Sequence, residues 1–97
     1  MKAEYAFQHR RGDFRVRLTD DLAIELELDG IVRKRRDASD REPQYVWTNV
    51  ELEWEEHHYI EVRYWASEDR LQITANQAPI FEGTLLNATA AAEPSGG

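Results

Sequence analysis

The chain predicts an all-β fold, an antiparallel β-sandwich or small barrel of seven to eight short strands. Three observations carry that expectation. Apolar and polar residues alternate strictly through several stretches, the pattern of half-buried strands whose successive side chains point to opposite faces. Turn residues recur every eight to twelve positions. No amphipathic helix can be traced between them. Ninety-seven residues suit one domain with a single core and no staples.

The elements follow in chain order. Tyr5 and Phe7 suggest a first strand, with Gly12 as the turn into the second. There Phe14, Val16 and Leu18 alternate with Arg15 and Arg17. After a short Thr19-Asp20-Asp21 loop, Leu22, Ile24, Leu26 and Leu28 alternate with Ala23, Glu25 and Glu27. The two arginines then lie across from, or diagonal to, the two glutamates. Asp29-Gly30 is a strong hairpin signal because glycine takes positive φ without steric cost. The returning strand Ile31–Arg36 has only two apolar residues and reads as a sheet edge.

Pro43 cannot donate to a ladder and so precedes the next strand. From Tyr45 to Trp65 the chain writes one long hairpin. Val46, Thr48, Val50, Leu52 and Trp54 take one parity, continued after a Glu55-Glu56-His57-His58 corner by Ile60, Val62 and Tyr64. This register sets Glu51 roughly opposite Arg63. Ser67-Glu68-Asp69 turns into Arg70–Ala75, with Leu71 and Ile73 inward. Asn76-Gln77-Ala78-Pro79 turns into a last strand, Ile80–Leu85, whose inward parity the pattern leaves open. The β domain is expected over 1–86. Residues 87–97, ending Glu93-Pro94-Ser95-Gly96-Gly97, read as a flexible tail.

Composition limits the functions. The chain has no cysteine, which excludes disulfides and thiolate chemistry. No apolar stretch approaches the roughly 20 residues of a membrane span, and the first residues lack a signal-peptide core, so the expected location is the cytoplasm. In that setting neither the Asn87-Ala88-Thr89 sequon nor Arg11-Gly12-Asp13 carries meaning. Net charge is −7, split between +1 over residues 1–41 and −8 over residues 42–97. So acidic a chain argues against nucleic acid as a partner. Arg33-Lys34-Arg35-Arg36 is best read as a solvated edge strand guarded against aggregation, and otherwise as a contact for an acidic partner.

Catalytic patterns are sparse. His57 and His58 beside Glu55 and Glu56 offer metal-ligand types. Adjacent histidines on a strand diverge, however, and they read as exposed loop residues. Ser39, Ser67 and Ser95 sit in no nucleophile elbow, and Glu51 with Glu53 reads as a solubilising face. No enzyme activity, metal or cofactor is expected. The aromatic outer face is a better lead. Tyr45, Trp47, Tyr59 and Trp65 share one parity, with Trp47 and Trp65 expected as diagonal neighbours and Arg63 and Arg70 close enough to stack on them. That face either docks a partner or is further core beneath the second sheet or the N-terminal strand.

Two stretches carry a family resemblance. One is His9-Arg10-Arg11-Gly12-Asp13-Phe14-Arg15-Val16-Arg17-Leu18, followed by an apolar strand and Asp29-Gly30. The other is His57-His58-Tyr59-Ile60-Glu61-Val62 with Leu71-Gln72-Ile73-Thr74-Ala75-Asn76-Gln77 and Ile80. Together they resemble the C-terminal half of the Fas apoptotic inhibitory molecule family, built of compact antiparallel β-sandwich repeats. This chain has room for one repeat rather than two. The resemblance implies a non-enzymatic interaction module and carries over no catalytic residue.

The function expected from all this is binding to another protein, through Tyr45, Trp47, Tyr59, Arg63, Trp65 and Arg70 or through the Arg33–Arg36 edge. A homodimer would use the same surfaces. The alternative is a ubiquitin-like modifier or sulfur carrier reacting through Gly96-Gly97, although β-grasp carriers need a central helix.

Overall fold

The computed structural model describes residues 3–53 and 56–86, with side chains given for all of these except 52, 53 and 56. Eight strands run in chain order: β1 (Ala3–His9), β2 (Gly12–Leu18), β3 (Ile24–Leu28), β4 (Ile31–Arg36), β5 (Gln44–Glu53), β6 (Glu56–Trp65), β7 (Arg70–Ala75) and β8 (Ala78–Thr84). They form two four-stranded antiparallel meanders, β1-β2-β3-β4 (sheet A) and β5-β6-β7-β8 (sheet B). The fold is the expected β-sandwich. Tail residues 87–97, including Gly96 and Gly97, lie outside the described residues, as do Trp54 and Glu55.

The alternating pattern explains the core. Phe14, Val16 and Leu18 of β2 and Ile24 and Leu26 of β3 face Val46, Ile60, Val62, Tyr64, Leu71 and Ile73 of sheet B in one buried cluster. Each fully buried aliphatic or aromatic side chain contributes roughly 1.5–3 kcal/mol of transfer free energy. One flank of the sandwich is sealed by rings, with Tyr5 of β1 stacked on Phe81 of β8 at 4.1 Å and Phe7 on Phe14 at 5.1 Å. Gly83 makes room for this seal, since a Cβ there would come within 2.9 Å of the Phe81 ring. On the other flank Gln44 is buried and donates from Nε2 to the Leu22 carbonyl at 3.0 Å, tying the start of β5 to the β2–β3 loop.

Turn chemistry fits the backbone. Asp29 and Gly30 have φ of 52° and 85°, and Asn76 and Gln77 have 49° and 71°. Two successive positive φ angles give the turn whose twist matches the flanking strands. Asp69, at φ 50°, organises the β6–β7 corner: its Oδ1 accepts from the buried Tyr64 hydroxyl at 2.8 Å and from the backbone N–H groups of Leu85 and Leu86 at 3.2 and 2.9 Å. Burial first, then the Asp69 hydrogen bond, pushes the Tyr64 hydroxyl well above its ordinary titration range.

Four local expectations are corrected. The β1–β2 turn consists of Arg10 and Arg11, while Gly12 opens β2 opposite His9. The β2–β3 connection extends through Ala23, closed by the Thr19 N–H donating to the Ala23 carbonyl at 2.9 Å. Leu22 therefore sits exposed at φ 66° and Ala23 is buried, the reverse of simple alternation. The long hairpin is also shorter at its tip than expected. Because β6 begins at Glu56, His57 and His58 belong to the strand, and Glu51 lies opposite His57 rather than Arg63. In β8, a register shift between Ile73 and Thr74 moves the pairing from Phe81 to Pro79 and makes Ile80 the extra residue. That bulge is why the strand showed no clean parity.

Candidate functional site: the outer face of sheet B

Register sets this face out as rows across the strands. Trp65 pairs with Arg70, Tyr45 with Arg63 and then Gln72, Trp47 with Glu61 and then Thr74, and Asn49 with Tyr59. All project away from the core, because their strand neighbours Val46, Thr48, Ile60, Val62 and Tyr64 are buried. Trp47 and Tyr59 remain 44% and 49% exposed. Neither the second sheet nor β1 covers them, as β1 belongs to sheet A.

The six sequence-chosen residues do share this face, and Arg70 stacks on Trp65 as expected, but the other pairs differ. Trp47 lies opposite Glu61, four residues from Trp65 along β6, so the two tryptophans are roughly 13 Å apart at the rise of a strand. Trp47 instead neighbours Tyr59, ring centroids 6.2 Å apart. Arg63 stacks on Tyr45 at 4.8 Å, and Arg70 on Trp65 at 4.7 Å. Arg70 is further held by Glu82, whose Oε2 accepts from Nε at 3.1 Å.

Glu61 escaped the sequence reading and lies at the centre. Its Oε2 accepts from the Tyr45 hydroxyl at 2.6 Å and lies 3.6 Å from Arg63, while Oε1 accepts from the Thr74 hydroxyl at 3.3 Å. Partial burial and the Glu61 hydrogen bond raise the pKa of Tyr45, so it serves as a lasting donor. Asn76 was missed as well. Its Oδ1 accepts from the Tyr59 N–H at 2.9 Å, and its own N–H donates to the Tyr59 carbonyl at 2.9 Å. These contacts fix the β7–β8 turn against Tyr59. Tyr45, Trp47, Tyr59, Glu61, Asn76 and Gln77 together line an open cleft of about 500 Å3. Strand parity already put Glu61 beside Tyr59 and Arg63. Only the corrected register brings it opposite Trp47.

The basic edge is exposed throughout, including Ile31 and Val32. Between Lys34, paired with Leu26, and Val32, paired with Glu27, the extra residue Arg33 makes a bulge. A bulge and a row of charges both blunt strand addition. Arg35 is committed to Glu25 at 2.8 Å and to Asp21 and Asp37 at 3.0 Å each. Lys34 reaches across the flank and places Nζ 5.7 Å from the Trp47 ring.

The histidines form an unexpected pair. His58 is buried, not a loop residue, and its Nδ1 lies 3.0 Å from Nε2 of His9. This imidazole–imidazole hydrogen bond ties β6 to the end of β1. Among the described residues no group of three or more metal-ligating side chains converges, and no helix is long and apolar enough to cross a membrane. No protein-family model, curated protein or solved structure matches the chain.

Proposed function

We propose that this chain is a non-enzymatic interaction module that docks another protein on the aromatic–arginine face of sheet B, with the β4 edge as a flanking contact. The observation that carries the reading is the side-by-side exposure of Trp47 and Tyr59 on rigid strands. Large rings left in water on a regular sheet have an unspent hydrophobic contribution. Aromatic and arginine residues are also the types that most often dominate interfaces. The resemblance to the Fas apoptotic inhibitory molecule family, which implies an interaction module, points the same way.

The test is affinity capture of the N-terminally tagged chain from its own cells under native washing, repeated with Trp47→Ala and Trp65→Ala. Each substitution is expected to weaken capture of the same partner while the urea midpoint stays close to that of the parent. If both variants simply unfold, these residues belong to the core and the docking reading fails.

The modifier reading rests on Gly96 and Gly97 alone. Every element among the described residues is a strand, which does not suit the helix-on-sheet packing of β-grasp carriers. Deleting both glycines is accordingly expected to leave native capture unchanged.

A further inference from the structure

We infer that the cleft between Trp47 and Tyr59, floored by Glu61, receives a basic side chain, lysine or arginine, from an extended segment of the partner. The inference rests on the docking role proposed for this face and adds the chemistry of the contact.

Three observations converge on a cation. First, the outward-facing rings of β5 and β6 already attract cations from this chain: Tyr45 carries Arg63, Trp65 carries Arg70, and Trp47 has Lys34 nearby. Tyr59 carries none among the described residues, and it is one of the three rings that line the cleft. A cation over an aromatic ring gains roughly 0.5–2 kcal/mol, more as water is excluded.

Second, a carboxylate lies at the floor with acceptor capacity to spare. Two oxygens offer about four lone-pair sites. Among the described residues, Tyr45 occupies one site on Oε2, Arg63 stands off at 3.6 Å, and Oε1 has only the weak 3.3 Å bond from Thr74. An incoming ammonium or guanidinium can bond Oε1 while its alkyl stem lies along the exposed ring surfaces, as long basic side chains bury their stems against apolar surface.

Third, the charge balance is complementary. Glu61 is the charged residue among those lining the cleft, and the neighbouring Arg63 is already stacked on Tyr45 and ion-paired with Glu61. A phosphate or an acidic peptide would meet Glu61, with no cation among the described residues that line the cleft. A basic segment meets the charge it needs at Glu61.

The experiment is an amide and indole chemical-shift titration of the full 15N-labelled chain with two synthetic peptides. One is a glycine–serine decapeptide carrying two lysines, the other its counterpart carrying two glutamates. The lysine peptide is expected to shift Tyr59, Glu61, Asn76 and the Trp47 indole, and the glutamate peptide none of them. Glu61→Gln keeps an acceptor for Tyr45 and the local shape, and is expected to weaken lysine-peptide binding about tenfold. Equal affinity in Glu61→Gln, equal response to both peptides, or no response of the cleft to the lysine peptide would overturn the inference. Capture from cells separates this failure from that of the docking reading. If Trp47→Ala abolishes capture and Glu61→Gln spares it, the face docks a partner but not through a cation. If neither variant changes capture, both proposals fall.

Discussion

The two outer faces of this sandwich are made by the same alternation and end in opposite conditions. On sheet A, Arg15 and Arg17 share Glu4 and Glu27 at 3.2–4.0 Å, and Arg35 gathers Glu25, Asp21 and Asp37. These arginines are answered by charge within the chain: Glu4, Glu25 and Glu27 come from adjacent strands, and Asp21 and Asp37 from the loops beside them. On sheet B the charges are also paired, but they stand among rings, and Trp47 and Tyr59 are left exposed over a cleft. The difference shows what a free surface requires. A lattice of ion pairs offers a partner little, whereas exposed aromatic area beside a carboxylate with open acceptor sites still has something to gain.

The largest expected effects test whether the two faces share one core. Leu26→Ala on sheet A and Ile60→Ala on sheet B, both fully buried, are each expected to destabilise by about 2–5 kcal/mol in urea unfolding. A large loss from one and almost none from the other would mean that the sheets do not pack as one unit.

Next comes binding. Trp47→Ala is expected to cost at least about 2 kcal/mol, roughly thirtyfold, in partner affinity. Its effect on stability should stay within about 1 kcal/mol, as for an exposed position.

The Asp69 corner comes third and sharpens the comparison by anchoring sheet B. Asp69→Ala orphans the Tyr64 hydroxyl and two backbone donors, for an expected loss of about 1–3 kcal/mol. Burial of Tyr64, with the Asp69 hydrogen bond second, also carries a pH signature. The folded chain holds the Tyr64 proton beyond the ordinary value of 10.0, whereas the unfolded chain releases it there. This contribution is complete below pH 10.0 and is lost as pH rises above it. Tyr64→Phe is expected to flatten that alkaline decline in a series of urea midpoints. An unchanged slope would contradict the assignment.

The smallest effect belongs to sheet A. Arg15→Ala is expected to cost about 0.2–1 kcal/mol, reduced by salt, and to leave partner capture intact.

Faces were legible in the sequence, and neighbours much less so. Alternation assigned Val46, Ile60, Val62 and Tyr64 to the core and Tyr45, Trp47, Tyr59 and Arg63 to the outside. An antiparallel pair can slip by an even number of residues without exchanging faces. Placing Arg63 opposite Glu51, where His57 lies, was a slip of six. It preserved every face and misplaced every pair, which is why Trp65 was set beside Trp47 and Glu61 went unnoticed. Single-residue irregularities hid the rest. Leu22 at positive φ and the extra residues Arg33 and Ile80 each break a period-two pattern at one point. The His9–His58 contact joins residues 49 apart from different sheets, a distance that local pattern cannot span.

The central claim is that the outer face of sheet B docks a partner and the ion-paired outer face of sheet A does not. Its most direct test is quantitative native capture with three forms of the chain: the parent, Trp47→Ala/Tyr59→Ala, and Arg15→Ala/Arg17→Ala. Urea midpoints measured alongside would show that all three are folded. The expected result is loss of one specific partner from the sheet B variant alone. Retention of that partner by the sheet B variant, or equal loss from both, would contradict the claim.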